Sequence, residues 1–250
     1  PYSMMFPQTS AFGINLQKDS TNSYMKSIFL GFGYSSYRER IDHYIVRSIY
    51  TKDILTSTAI PYEHISYIPF AIDLEMFKPR EKNKSLLDEL GIYGKDVILY
   101  VGRLDKDKGV VELFALFDKY STINTNWVLI CVGKSTVNVG LDDEVKKVCK
   151  LRGIDNRVRF VGFKNRNELL KYYSIADVFV SPQYFPQQFD YAMLEALASG
   201  IPLVSMDMGC ARDFIANGEG GEICKSYDEF PEKIDKVLRE YDSYDRNGCR

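Results

Sequence analysis

The sequence has little of what membrane-spanning or nucleic-acid-binding proteins need. None of its apolar runs approaches the roughly 20 residues with which a helix crosses a bilayer. Its 32 basic and 34 acidic side chains leave a formal net charge of −2, which argues against bulk electrostatic binding of nucleic acid. No secretory signal segment is visible, although the chain begins at Pro1 rather than Met, as a fragment would. We therefore predict a cytoplasmic protein with no nucleic-acid partner.

The sequence also lacks a cluster of metal ligands. Its two histidines, His43 and His64, do not lie near its cysteines in the sequence. The cysteines are odd in number and scattered, at Cys131, Cys149, Cys210, Cys224 and Cys249. Zinc sites need clustered ligands, and disulfide frameworks need paired cysteines. We therefore predict reduced cysteines and no bound metal.

What the sequence does contain, from Asp96 onward, is a regular alternation of strands and helices. Six nearly continuous apolar runs are separated by amphipathic segments, and they read VILYVG, WVLICVG, RVRFVGF, VFVSP, PLVSMD and GEIC. Strands of this kind are typical of a parallel sheet that helices cover on both faces. We predict a doubly wound, Rossmann-like α/β domain over residues 77–250.

Residues 1–76 contain a smaller β-α-β pattern. A strand is predicted over Tyr44–Arg47, and Ser48 then occupies the N-cap position of a helix. A second strand, His64–Phe70, follows that helix. This unit is too small to be a domain alone, so we interpret residues 1–76 as part of a second α/β domain and its linker.

Two segments of the larger domain carry candidate binding residues. The first is the loop GRLDKDKG, Gly102–Gly109, which leaves the first strand and enters a helix. Gly102 allows a sharp turn, and Arg103 and Lys108 place two cations near a helix N-terminus. Arginine grips phosphate with two parallel hydrogen bonds and lysine adds a point charge, so the pair suits a diphosphate. The alternative is a solvated surface loop, because residues 105–107 are all charged.

The second segment is QQFDYAMLEALASGIP, which runs from Gln187 to Pro202 and carries Glu195 on a predicted helix. A buried carboxylate beyond the carboxyl end of a parallel strand accepts two hydrogen bonds from a sugar diol. Small residues follow Glu195 and permit close packing beside a ligand. The alternative is an exposed helical glutamate.

Taken in order, four segments resemble the retaining, nucleotide-sugar-dependent glycosyltransferases of family 4, which have the two-domain GT-B fold. The resemblance covers about Tyr44 to Cys224, and the four segments read ISYIPFAIDLEMFKP, GRLDKDKG, FVGFKNRNELLKYYSIADVFVSPQ and LEALASGIPLV. The resemblance implies that the larger domain binds the sugar nucleotide. It also implies that most of the amino-terminal, acceptor-side domain is missing from this chain.

The resemblance also implies roles for individual residues. Arg103 and Lys108, with Gly102, match the loop that binds the donor diphosphate, and Glu195 matches the glutamate that holds the ribose hydroxyls. On the base side it implies Gly162 and, nearby, Phe163, for which plain core packing is the alternative. On the sugar side it implies Gln187, Phe189, Asp190 and Tyr191.

Two positions depart from the family pattern. Gln187, eight positions before Glu195, stands where the family has a second glutamate, and Asp190 stands where it often has glycine. Glutamine keeps one acceptor and loses the charge, while a carboxylate near a diphosphate repels it. Neither His43 nor His64 lies in a recognisable version of the family's catalytic site, so the catalytic residue is unknown.

The sequence therefore predicts a glycosyltransferase that moves a sugar from a nucleoside-diphosphate sugar to a glycan or lipid-linked acceptor with retention. It is expected to need no metal or other cofactor, because the cation pair takes the metal's place. Many members of the family that the chain resembles build cell-surface polymers at a membrane face, so we also expect peripheral membrane contact. The alternative is a non-catalytic sugar-nucleotide-binding subunit. The sugar, the base and the oligomeric state leave no signature in the sequence.

Overall fold

The structure, a computed structural model, describes residues 3–4, 41–57, 60–121, 126–186, 189–215, 219–241 and 244. These residues divide between two compact units. Unit 1 draws on Pro1–Ala71, Phe185–Asp190 and Met208–Asp213, and unit 2 on Ile72–Tyr184, Tyr191–Asp207 and Phe214–Arg250. The domain boundary expected after residue 76 stays a prediction.

Unit 1 contains a small parallel sheet in the order β1-β2-β3, formed by Ser3–Met4, His43–Val46 and Ile65–Tyr67. Helix α1, Ile49–Ser57, connects β2 to β3 and makes the predicted β-α-β unit. Ser48 caps this helix as expected, since its Oγ accepts the N–H of Thr51 at 3.1 Å. The core consists of buried side chains from β2, β3, the helix and the segments beside them: Ile41, Tyr44, Val46, Ile54, Leu55, Ile60 and Ile65.

The second predicted strand of unit 1 is shorter than expected. We predicted His64–Phe70, whereas the strand covers Ile65–Tyr67 and a 3₁₀ turn over Tyr62–His64 precedes it. Pro69, which lacks an N–H group, follows the strand closely and limits its length.

Asp213, in the last segment of unit 1, binds the start of helix α1. Its Oδ2 accepts the backbone N–H of Ile49 at 2.8 Å. The pKa of Asp213 is raised to about 6, mainly by burial and also by the neighbouring carboxylate of Asp53, against the lowering effect of the Ile49 N–H. The folded state therefore holds a proton on this carboxyl at pH values where the unfolded chain has lost it.

This pKa predicts a pH-dependent effect of Asp213→Asn on stability. Because the folded pKa is raised, wild-type stability falls as pH rises from about 4 to about 6. Asparagine keeps an acceptor for Ile49 without the charge. We expect Asp213→Asn to stabilise the protein by about 1 kcal/mol at pH 7, after allowance for partial exposure, and to have little effect near pH 4. Urea unfolding at both pH values measures this, and an equal effect at the two would contradict it.

Unit 2 contains the predicted six-stranded parallel sheet. Its strands are β4 to β9, which cover Asp96–Val101, Trp127–Val132, Val158–Gly162, Val178–Ser181, Leu203–Met206 and Gly221–Cys224. The helices that follow α1 are α2 to α8, and they cover Lys84–Leu90, Val110–Ser121, Leu141–Leu151, Arg166–Ile175, Tyr191–Ala198, Ala211–Phe214 and Phe230–Arg239. All of them lie in unit 2 except α7, of which residues 211–213 belong to unit 1. Strands β5, β7 and β8 are buried at every position, as a sheet covered on both faces requires.

The strand order of unit 2 creates a crevice for a ligand. The order is β6-β5-β4-β7-β8-β9, so the chain runs outward from β4 to β6 and then returns to the other side of β4 at β7. The direction of winding therefore reverses between β4 and β7. In open α/β sheets, ligands bind beyond the carboxyl ends of the strands at such a reversal. The strand order therefore places a candidate ligand site at the loops that follow β4 and β7.

Local signals fix several helix ends in unit 2. Asn165 begins α5 with a capping box, because its Oδ1 accepts the N–H of Glu168 at 3.0 Å and its own N–H donates to Glu168 Oε2 at 2.9 Å. Gly91 ends α2 in the left-handed conformation, with φ of 64°.

Two further findings concern the whole of the described chain. Among the helices in these ranges, none is both long and apolar enough to cross a bilayer. The four described cysteines are buried and form no disulfide with one another, and they are Cys131, Cys149, Cys210 and Cys224. Cys249 lies outside the described residues.

Candidate functional site

Three loops of unit 2 approach one another closely at the carboxyl end of the sheet, where glycines make the approach possible. A side chain at Gly109 would place its Cβ 2.0 Å from the carbonyl oxygen of Pro182, and one at Gly133 would place it 1.8 Å from that of Gly102. Gly109 and Gly133 also have positive φ angles, 69° and 141°. The loops after β4, β5 and β7 are thus packed together at the reversal of strand order.

The predicted phosphate-binding arginine is held by carboxylates of its own loop. Arg103 Nη1 lies 2.6 Å from Asp105 Oδ2, and Nη2 lies 2.6 Å from Asp107 Oδ2. Asp107 is partly exposed, whereas the side chain of Asp105 has no exposed surface. The guanidinium is therefore fixed in place at the mouth of the crevice.

The burial of Asp105 contradicts, for this residue, the alternative that residues 105–107 form a solvated surface loop. Its carboxylate accepts the N–H groups of Thr136 at 3.0 Å, of Val137 at 3.1 Å and of Asn138 at 2.9 Å. Burial alone raises the pKa of Asp105, but these hydrogen bonds, led by that of Asn138, outweigh it and hold the pKa below its ordinary value. Asp105 thus stays ionised and ties the loop after β4 to the loop after β5.

The predicted lysine of the same loop reaches the loop after β7. Lys108 Nζ donates to Gln183 Oε1 at 3.1 Å. Gln183 is buried, and its Nε2 has no hydrogen-bond partner among the described residues. Tyr227 braces this loop by donating to the carbonyl oxygen of Pro182 at 2.8 Å. The arrangement therefore presents a buried amide donor beside a lysine, and an unsatisfied buried donor is costly unless a ligand oxygen accepts from it.

The predicted ribose-binding glutamate is buried. Glu195 lies on α6 with 8% of its surface exposed, so the alternative of an exposed helical glutamate is wrong. Tyr173, on α5, donates its hydroxyl hydrogen to Glu195 Oε2 at 2.8 Å. The ring of Tyr173 is itself held edge-on against Phe77, with centroids 6.0 Å apart. These contacts fix the orientation of the carboxylate.

The predicted base-side residues lie at the end of β6. Gly162 has φ of 74°, and open space surrounds the position where a Cβ would stand. Its carbonyl oxygen accepts the N–H of Gly133 at 2.9 Å, which joins the ends of β5 and β6. Phe163 is 70% exposed, so the alternative of plain core packing is wrong for this ring. An exposed ring at this sheet end is available to stack on a planar ligand.

The predicted sugar-side residues fall into three groups. Gln187 lies outside the described residues. Phe189 and Asp190 belong to unit 1, where the ring of Phe189 packs 4.5 Å from that of Phe70. Tyr191 is the first residue of α6 in unit 2. Their roles toward a sugar stay predictions.

Comparison with known families decides the class of the protein. The model described as "Glycosyl transferases group 1" matches residues 82–248, which is more than half of the chain. The chain belongs to the group 1 glycosyl transferases. The matched region of this group 1 glycosyl transferase includes Arg103, Lys108, Gln183 and Glu195.

Curated relatives of this group 1 glycosyl transferase are longer than the chain itself. Spore coat protein SA of Bacillus subtilis is 25% identical over 188 residues, which cover 71% of this chain and 50% of that protein. D-inositol 3-phosphate glycosyltransferase of Corynebacterium glutamicum is 32% identical over 167 residues, which cover 64% of this chain and 39% of that enzyme. The chain thus spans half or less of the length of these relatives.

Solved structures confirm the predicted fold of this group 1 glycosyl transferase. HepE from Anabaena, solved in complex with UDP, superposes with a TM-score of 0.73 at 19% identity, over 88% of this chain and 62% of that one. A glycosyltransferase from Rickettsia africae superposes with a TM-score of 0.72 at 18% identity, over 94% of this chain and 62% of that one. The doubly wound domain is therefore of the kind found in GT-B glycosyltransferases.

Three residues of the site were missed by the sequence analysis. Asp105 entered it only within the alternative of a solvated surface loop, and neither Gln183 nor Tyr173 was singled out. Asp105 and Gln183 follow the two strands that flank the reversal, so the strand order would have pointed to them. Tyr173 precedes Glu195 by 22 residues, and no sequence pattern predicts their pairing.

Proposed function

We propose that this chain carries the donor-binding part of a retaining family 4 glycosyltransferase. The reaction moves a sugar from a nucleoside-diphosphate sugar to a glycan or lipid-linked acceptor. The observation that carries the proposal is the meeting of Lys108 with the buried, unsatisfied amide of Gln183 at the reversal of strand order. Arg103 lies on the same loop, so the carboxyl end of the sheet brings together several hydrogen-bond donors for an anion. The closely packed glycines there carry no side chains that would fill the space.

The donors suit a diphosphate in particular. A guanidinium, an ammonium and an amide N–H together offer several hydrogen bonds to closely spaced anionic oxygens. When the bond from the sugar to the diphosphate breaks, negative charge grows on the departing oxygen. Groups already fixed in position stabilise that charge without reorganising, which lowers the barrier. Arg103 and Lys108 are fixed by Asp105 and Gln183, as this role requires.

The nucleoside is proposed to extend from the diphosphate toward Glu195 and Gly162. The buried carboxylate of Glu195 accepts from both ribose hydroxyls, while Tyr173 occupies one of its oxygens and fixes its orientation. The exposed ring of Phe163 and the open space at Gly162 accommodate the base. HepE, a structural neighbour, was solved in complex with UDP, which is a nucleoside diphosphate of the kind proposed here.

The absence of a metal requirement stays a prediction. Within the described ranges, no group of three or more His, Cys, Asp or Glu side chains is placed to hold a metal ion. A metal carried by the substrate's own phosphates needs few protein ligands. The donor experiment below is therefore run with EDTA and, in parallel, with Mg²⁺.

Thermal unfolding with a panel of nucleotides tests the proposal. The 250-residue chain is heated with UDP, GDP, ADP and the corresponding nucleosides. A ligand at about 100 times its dissociation constant stabilises the protein by roughly 2.7 kcal/mol. We expect one diphosphate to stabilise the chain, with and without metal, and its nucleoside to do so far less. Lys108→Ala should abolish the shift.

Lys106→Ala provides the matched control, because Lys106 lies in the same loop with an exposed side chain. It should retain the shift of the wild type. If no diphosphate stabilises a folded chain, or if the thermal shift is the same in Lys106→Ala and Lys108→Ala, the donor site is not where we place it. Donor binding without any release of diphosphate by the full-length protein would favour the non-catalytic binding protein, as Gln187 and Asp190 already do.

A further inference from the structure

The two carboxylates that hold Arg103 differ in a way that bears on donor binding. Resting on the proposed function, we propose that Asp105 positions Arg103 permanently, whereas Asp107 occupies the place of a donor phosphate and leaves when the donor binds. Arg103 Nη1 then keeps its bond to Asp105, and Nη2 exchanges the carboxylate of Asp107 for a phosphate oxygen. Asp105 is thus a positioning residue and Asp107 an internal competitor.

Asp105 cannot leave, because it is bound from several directions. Besides Arg103, it accepts the backbone N–H groups of residues 136 to 138 and the hydroxyl of Thr136 at 2.9 Å. In return, Asn138 Oδ1 accepts the N–H of Lys106 at 2.9 Å. The side chain of Asp105 has no exposed surface. Separating Asp105 from Arg103 would leave a buried charge with one fewer partner, which is costly.

Asp107 is held far more weakly. Its side chain is 35% exposed, and Arg103 is the one cation with which it pairs in the part of the chain that the structure describes. It lies in a 3₁₀ turn of three residues, Lys106–Lys108, rather than in a long helix. A partly exposed ion pair contributes little to stability, and a dianionic phosphate offers the same guanidinium edge a stronger partner. Exchange of Asp107 for phosphate is therefore inexpensive.

The proposal predicts opposite effects of the same substitution at two neighbouring aspartates. In Asp107→Asn, the competing charge is gone, so the dissociation constant of the nucleoside diphosphate should fall about two- to fivefold, the range of a partly exposed ion pair. In Asp105→Asn, the amide keeps one acceptor oxygen but loses the charge that orients Arg103. We expect the dissociation constant to rise about tenfold, as for a weakened buried charge pair.

The measurement is calorimetric titration of the 250-residue chain with UDP, GDP and ADP, and with their nucleosides as phosphate-free probes. Neither substitution should alter nucleoside binding, whereas damage to the fold would weaken both kinds of ligand. Asp118→Asn is the matched control, because Asp118 also pairs with an arginine, Arg152, and its side chain is 33% exposed. It lies near the far end of α3 and should leave every dissociation constant unchanged.

A second arm links the effect to Arg103 itself. In an Arg103→Ala background, Asp107→Asn should no longer tighten diphosphate binding, because residues that act through one another are not additive. Tightening that persists there, or no tightening in the wild-type background, overturns the inference even if Asp105→Asn fails to fold. If the wild-type chain binds no diphosphate at all, the proposed function fails. If it binds one and Asp107→Asn binds it no better, the inference alone fails.

Discussion

Arg103→Ala is expected to lower the rate of diphosphate release from the sugar donor by about 10²- to 10³-fold, the typical cost of losing one preorganised donor to a developing anion. The guanidinium lies at the mouth of the crevice with both Nη atoms engaged at 2.6 Å, so it is oriented before any ligand arrives. A group of this kind acts most strongly when charge on the leaving diphosphate is greatest. The loss should therefore appear in kcat as well as in donor affinity.

Arg103→Lys separates charge from geometry in the same experiment. Lysine restores the positive charge without the planar pair of parallel hydrogen bonds, so we expect a partial recovery of about tenfold over alanine. Initial rates are measured as nucleoside diphosphate released from its sugar, with Lys106→Ala as the control for a lost cation in the same loop. Wild-type rates and wild-type donor affinity in Arg103→Ala would remove the arginine from the reaction.

The sequence was sufficient to predict the parts of the site that local patterns encode. The alternation of apolar runs predicted the parallel sheet, and the loop from Gly102 to Gly109 predicted a pair of cations at its edge. Ser48 predicted the start of its helix because capping depends on a few neighbouring residues. These features depend on short-range chemistry, which a single sequence contains.

The remaining features depend on contacts between distant residues. Asp105 looked solvated because the charged residues Lys106 and Asp107 follow it, and its burial follows from the loop at residues 136–138, which no pattern connects to it. Gln183 gains its importance only when β7 is placed beside β4. The exposure of Phe163 likewise depends on the tertiary structure, in which the ring stays 70% exposed. Tertiary packing decided each of these cases, and a pattern of local charge or hydrophobicity could not.

Glu195→Gln is expected to remove the preference of the site for ribose over 2′-deoxyribose. A carboxylate accepts from both ribose hydroxyls, whereas an amide offers one acceptor oxygen and an opposing N–H group. Each hydrogen bond to a charged group contributes about 1.5–3 kcal/mol, so the wild type should bind a nucleoside diphosphate about tenfold to a hundredfold more tightly than its 2′-deoxy form. The variant should bind the two forms almost equally, as measured by calorimetric titration.

Tyr173→Phe tests how far the orientation of the carboxylate matters. This variant keeps the ring that packs against Phe77 and removes only the hydroxyl that donates to Glu195 Oε2 at 2.8 Å. We expect it to retain the preference for ribose in a reduced form, because the carboxylate still accepts from the diol but is less firmly held. A complete loss equal to that of Glu195→Gln would mean that Tyr173 itself contacts the sugar.

The opposite result would assign Glu195 a structural role. A wild-type chain that binds the ribose and 2′-deoxy forms equally well does not use the carboxylate to recognise the diol. The buried pair of Glu195 and Tyr173 would then serve to join α6 to α5, and its loss in Tyr173→Phe would appear in unfolding rather than in binding. Because glutamine still accepts from Tyr173, Glu195→Gln should leave the free energy of unfolding within about 1 kcal/mol of the wild type. Ligand preference and stability thus respond to different parts of the same contact, and measuring both distinguishes recognition from packing.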